Sequence, residues 1–176
     1  NVSYADRICW ASKRIETAYA MCMADDDLYV YTGLASCLKT LKSSKNAVAC
    51  MGQGLGFDVF FGKPYAFLYA ESLIDYRVTN QVAKLRVLEG IHNYRTATPY
   101  AIFKTDAFEK IWQKRRPVAC LEAAEYEHAI YTYLLGNLIT CDQSYWLRSF
   151  EAEPIDSDFD GSRSLDFATW FQEKRH

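Results

Sequence analysis

The chain has 176 residues, half of them apolar, with 20 basic against 22 acidic side chains and a formal charge of -2. Thirteen Tyr, ten Phe and four Trp carry more apolar surface than a linker or disordered segment supplies, so the composition predicts one domain with a substantial core. The near balance of charge leaves no electrostatic footprint for nucleic acid, whose phosphates demand concentrated Lys and Arg.

The compact basic run Lys114-Arg115-Arg116 reads as a solvated helix end, with a phosphate contact as the alternative. No stretch reaches the roughly 18 consecutive apolar residues that a membrane span requires. Asn1 to Asp6 lacks the basic and then apolar layout of a signal peptide. The six cysteines, at 9, 22, 37, 50, 120 and 141, form no C-x-x-C pair and share no zinc-ligand spacing with a histidine. They are predicted to be small buried hydrophobes in a reducing compartment, in the cytoplasm or at the periphery of a membrane, rather than a disulfide framework.

In chain order, residues 5 to 19 place Ile8, Cys9, Ile15 and Tyr19 among charged side chains and predict an amphipathic helix. Tyr19 to Met23 is an apolar run that predicts a brief buried strand, ending in Asp25-Asp26-Asp27. Leu34, Cys37, Leu38 and Leu41 follow helical spacing, so 33 to 42 is a helix, with a turn at 43 to 46 and a second buried strand from Ala47 to Met51. Strand, helix and strand in that order predict an α/β layered domain. Gly52, Gly54, Gly56 and Gly62 mark bends, bulges or close backbone approach. Their neighbours Phe57, Phe60 and Phe61 read as core residues, with a sugar platform as the alternative.

Val78, Val82, Leu85 and Leu88 predict a helix from about 73 to 88, and Thr98 to Phe103 a strand. Thr105 is a candidate cap for a helix striped by Phe108, Ile111 and Trp112 and ended by Pro117. Leu121 to Leu135 predicts a helix closed by Gly136, and Leu138 to Leu147 a strand. The segment 151 to 162 reads as a loop and 165 to 171 as a terminal helix.

Three adjacent carboxylates after an apolar strand repel one another unless a cation compensates, and magnesium or manganese takes hard oxygen ligands. Strand alternation would put Asp25 and Asp27 on one side and Asp26 on the other, at a strand end where open α/β sheets form ligand crevices. The plainer reading of the same triplet is an exposed acidic turn.

The stretch Tyr19-Ala20-Met21-Cys22-Met23-Ala24-Asp25-Asp26-Asp27-Leu28-Tyr29 resembles the metal-binding segment of GT-A-type glycosyltransferases, in which an apolar strand runs into a D-x-D motif. In order, Arg95 to Phe103, Thr105 to Trp112, Leu134 to Asn137 and Tyr145 to Arg148 extend the likeness to a bacterial branch (GT2-like) over roughly residues 5 to 150. The resemblance implies a partial GT-A-like mixed sheet with flanking helices, lacking the usual N-terminal nucleotide-binding strands. It implies metal-dependent transfer of a sugar from a nucleotide-diphospho-sugar donor to a glycan or other hydroxyl acceptor, with inversion. In it Asp27 and Asp25 would bind Mn2+ or Mg2+, and Asp26 would contact the donor ribose or sugar.

An inverting transferase also needs a carboxylate base. Glu122 and Glu125 lie three apart on the predicted helix; Glu125 is the first candidate and Glu122 the second, against solvent-facing charges as the plain alternative. His128 reads as a surface or packed histidine. Arg95 and Arg148 are candidates for the donor diphosphate or an anionic substrate group, ordinary ion pairing being the alternative, and His92 is a weaker ligand candidate. Two other classes stay open: a non-catalytic binding or structural module on the same scaffold, and a metal-dependent phosphoryl-transfer or hydrolytic enzyme using Asp156, Asp158 and Asp160.

Overall fold

The computed structural model describes residues 3–69, 73–95, 98–115 and 120–149, together with 168, 171 and 172. Helix α1 (Tyr4–Ser12) starts where the Ser3 hydroxyl accepts the Asp6 amide at 3.1 Å, satisfying one donor of the first turn. It stops short of the predicted residue 19. Strands β1 (Tyr19–Ala20) and β2 (Leu28–Tyr29) follow, then α2 (Tyr31–Ser43), β3 (Ala47–Phe60) and β4 (Lys63–Leu68). Helix α3 (Ala83–His92), a 3-10 turn at Thr98–Tyr100, β5 (Ile102–Lys104), α4 (Thr105–Lys114), α5 (Leu121–Leu135) and β6 (Asn137–Ser149) complete the order.

The six strands form one mixed sheet in the order β1-β5-β3-β6-β2, with β4 paired to the far half of β3. Its spine is the parallel pair β3 and β6, matched from Ala47 and Asn137 to Phe57 and Ser149. The other pairings are antiparallel. Layered α/β architecture with flanking helices is therefore observed, though with more antiparallel pairing than strand-helix-strand order alone suggests.

The core gathers Cys37 and Leu41 of α2, Ala49 to Met51 of β3, Phe103, Phe108, Ile111 and Trp112, and Leu138, Tyr145 and Trp146 of β6. The ladder between β3 and β6 slips around Met51 and Gln53, so the glycine-rich stretch does mark a bulge. At Gly54 a Cβ would stand 3.2 Å from the Trp146 ring.

Several boundaries differ from expectation. The run from Tyr19 to Met23 keeps strand pairing only at Tyr19 and Ala20, on the outer strand β1. Helix starts at Ala83 rather than near 73. Val78 instead bridges Leu138, while Val82, Leu85 and Leu88, whose spacing predicts the helix, are exposed. The face of α3 that is buried carries Arg86 and Gly90. Arg86 donates to the Tyr133 and Leu134 carbonyls at 2.6 and 3.2 Å and to the Asn80 carbonyl at 2.7 Å. A cation there satisfies carbonyls at the negative end of α5, a role invisible to hydrophobic periodicity.

Of the strand expected from Thr98 to Phe103, Thr98–Tyr100 is a 3-10 turn and only Ile102 and Phe103 are extended, in β5. Thr105 is the first helical residue, not the cap, and its hydroxyl donates to the Thr17 carbonyl at 2.6 Å. Phe60 and Phe61 are not core: they project from the β3–β4 hairpin, whose turn residues Phe61 and Gly62 both have positive φ, 50° and 73°. That is the geometry of a two-residue hairpin turn matched to strand twist. Helix α5 and Gly136 fall as expected. The segment 151 to 162 lies outside the described residues, and of the predicted terminal helix 165 to 171 only Ala168 and Phe171 are described, both helical, as is Gln172 after it.

Helix α2 rests directly on β6 at Gly33, where a Cβ would collide with the Ser144 carbonyl. Gly33→Ala is therefore expected to destabilise the fold by about 1–3 kcal/mol, the cost of overpacking. Urea denaturation compares it with wild type; an unchanged midpoint would show that α2 does not pack this closely.

Candidate active site

Asp25 and Asp26 occupy an exposed turn, so strand alternation does not govern them, and Asp27 alone turns inward. The cause is β2, which pairs Leu28 with Leu147 and Tyr29 with Trp146. That pairing brings Asp27 against the end of β6. Its Oδ2 accepts the Trp146 indole N–H at 2.6 Å and its Oδ1 accepts the Ser149 amide at 3.2 Å. Each carboxylate oxygen offers about two lone pairs, so both keep acceptor capacity while the group is held in one orientation.

Trp146 is fully buried, and Tyr100 stacks on it with ring centroids 4.6 Å apart. Tyr69 meets the same indole edge-on at 5.0 Å. Arg148, two residues along β6, donates to the Tyr69 hydroxyl at 2.7 Å, its guanidinium 5.1 Å from that ring. Tyr100 is within electrostatic reach of Arg148, Glu125, Asp27 and Tyr69. Its hydroxyl is pushed up to about 12, first by burial, with Arg148 opposing and the two carboxylates reinforcing.

Glu125 is half-buried on α5 and accepts from the Tyr94 hydroxyl at 3.4 Å. Burial raises its carboxyl above the ordinary range; Arg148, the Tyr94 hydroxyl and Arg115 pull it down, and Glu122 pushes it up. Glu122 itself is exposed, its Oε2 accepting from the Cys120 thiol at 3.2 Å. Arg115 is not a solvated helix end: its guanidinium covers Trp112 at 4.5 Å. Its burial lowers its own pKa. Arg116 lies outside the described residues.

The structure thus brings Asp27 and Arg148 to Trp146, on which Tyr100 stacks, while Glu125 bonds to Tyr94 and interacts electrostatically with Tyr100 and Arg148. It does not bring Arg95 there. Arg95 sits over Tyr76 at 5.3 Å and donates to the Tyr94 carbonyl at 3.4 Å. His92 is exposed at the end of α3, while Asp156, Asp158 and Asp160 lie outside the described residues. Sequence reading placed Tyr69, Tyr94 and Tyr100 in no site. The available signal was chemical: a buried Trp or Tyr needs a partner for its N–H or O–H, and Trp146 finds Asp27.

Among the described residues Asp25, Asp26 and Asp27 do not converge as a three-carboxylate cluster. The donor set nevertheless suits magnesium or manganese, which bind through one or two carboxylates and take their remaining ligands from substrate phosphates and water. A hydrogen-bonded ligating carboxylate is also the usual supporting arrangement at a metal. Two shallow concavities lie elsewhere, one lined by Ala35, Leu38, Lys39, Lys42 and Ser43, the other including Lys45, Arg86, Lys104 and Asn137.

His128 has a different fate from its neighbours on α5. It is fully buried, with ring contacts of 5.5 Å to both Phe103 and Trp112 and no hydrogen-bond partner on either nitrogen. Burial, then the nearby Arg115, pushes it down to about 3. It is a packed neutral imidazole, as one of the two sequence readings had it.

No family model matches the chain, and a search of curated proteins finds no match.

Because the unfolded chain protonates His128 below about 6.5 and the folded one resists until about 3, its contribution to stability is present above the unfolded value. It is lost as pH falls between the two, at about 1.4 kcal/mol per pH unit. In urea denaturation from pH 7 to pH 4, His128→Leu should show a shallower loss of stability than wild type. Parallel pH profiles would mean that His128 protonates freely in the folded state.

Proposed function

We propose that this chain carries the metal-binding and base-bearing part of a GT-A-type glycosyltransferase, transferring a sugar from a nucleotide-diphospho-sugar to a hydroxyl acceptor with inversion. The observation that supports this most is the orientation of Asp27 by Trp146 and the Ser149 amide, with Arg148 beside the same indole and its Tyr100 partner. Asp27, Tyr100, Trp146 and Arg148 lie in segments on which the sequence resemblance rests.

In this reading Asp27, with Asp25 as a second ligand directly or through water, would hold Mn2+ or Mg2+; Asp26 would meet the donor ribose or sugar. The cation supplies stabilisation of the negative charge that grows on the leaving diphosphate. The chain's own residues do the rest. Trp146 and the Ser149 amide fix the Asp27 carboxylate before donor arrives. Arg148 offers a positive charge to phosphate oxygens, held in place by Tyr69. Glu125 takes the proton from the acceptor hydroxyl. Its raised pKa strengthens it as a base, and it works only when ionised, so transfer should rise with pH as that carboxyl titrates. Glu122, exposed and turned to Cys120, is the second choice.

Calorimetric titration with UDP, GDP and CDP, with and without manganese, tests the binding half. Metal-dependent binding of one nucleotide is expected, lost in the Asp25→Ala/Asp27→Ala double variant. Glu125→Gln should keep that binding yet lower transfer from the matching nucleotide sugar by at least about a hundredfold, the scale of a general base. Nucleotide binding that ignores metal, or that survives the double substitution, would sink the proposal.

A further inference from the structure

Three of the six cysteines meet in space although they are far apart in sequence. Cys37 comes from α2, Cys50 from β3 and Cys141 from β6, and their sulfurs all lie within 4.8 Å of one another. Cys37 and Cys50 have no exposed surface and Cys141 is 9% exposed. The Cys37 and Cys141 sulfurs are 3.4 Å apart, and all three residues are free thiols. This group was read from sequence only as scattered small hydrophobes.

The three sulfurs lie close enough together to reach one ion. A metal–sulfur bond of about 2.3 Å separates the sulfurs by about 3.8 Å in a tetrahedron and about 4.0 Å in a trigonal plane. Hydrophobic packing alone would not require the three sulfurs to face a common point. Among the described residues no histidine, carboxylate or fourth cysteine joins them. A structural zinc site is closed by four protein ligands, whereas Cu(I) is a soft ion selected by thiolates.

We propose that Cys37, Cys50 and Cys141 form a binding site for a single monovalent soft metal ion of the Cu(I) class. Binding displaces thiol protons to solvent and leaves the metal's oxidation state unchanged. The ion would enter past Cys141, beside the exposed Asp142 and Gln143, and would tie α2 to both strands of the parallel pair. The site is separate from Asp27 and does not depend on the transferase reading.

Anaerobic titration with Cu(I) in competition with a colorimetric chelator tests it. The probe protein is the full chain carrying Cys9→Ser/Cys22→Ser/Cys120→Ser, which keeps the cluster and removes the other thiols. It should bind one Cu(I) per chain when folded, lose that binding in urea, and give an X-ray absorption spectrum with sulfur neighbours alone. The complementary Cys37→Ala/Cys50→Ala/Cys141→Ala protein, if folded by circular dichroism, should bind none of this class. If that variant does not fold, the first protein decides by its folded-against-unfolded comparison. Failure of the folded cluster-bearing protein to outcompete its urea-unfolded form would overturn the proposal. So would a Cys37–Cys141 disulfide in its place, seen as a two-hydrogen mass loss.

Discussion

The parallel pairing of β3 with β6 is the constraint on which the other contacts depend. The two strands are separated by helices α3, α4 and α5, across residues 61 to 136, so loop-closure entropy opposes their meeting. The ladder from Ala47 and Asn137 to Phe57 and Ser149 holds because burial on its faces outweighs that cost. Once formed, it leaves β5 and β4 to share one side of β3, and β2 to close on β6. Glycine is required where α2 presses on β6, because a Cβ at Gly33 would collide with the Ser144 carbonyl.

The same pairing organises the polar groups. By extending to Ser149, β6 delivers an indole N–H and a backbone amide to the Asp27 carboxylate. Arg148, on the same strand end, finds Tyr69. A carboxylate held by two donors is already oriented before any ligand binds, and preorganisation of this kind is what makes a charged group effective in a partly dry site.

Helix α5 shows how finely burial divides chemistry. Glu122, Glu125 and His128 are each three residues apart, yet they are exposed, half-buried and fully buried in turn. A three-residue step falls short of a full 3.6-residue turn, so the series rotates from solvent towards the sheet. Glu122 stays at the surface, Glu125 acquires a raised pKa from burial, and His128 is locked neutral between aromatic rings.

The sequence by itself determined the strongly periodic elements: α2, α4, α5 and the start of β3 follow from spacing, flanking turns and Gly136. It also made Asp27, Glu125 and Arg148 candidates, because residue chemistry and order are written along the chain. Tertiary structure decided the rest. Val82, Leu85 and Leu88 face solvent while Arg86 goes inside, because the end of α5 offers carbonyls that its guanidinium satisfies. Arg95 joins Tyr76 rather than Asp27, and Cys37, Cys50 and Cys141 converge without any local spacing. Local periodicity reports which face of one element is apolar; which distant groups share a site is fixed only when the β3–β6 ladder brings their elements together.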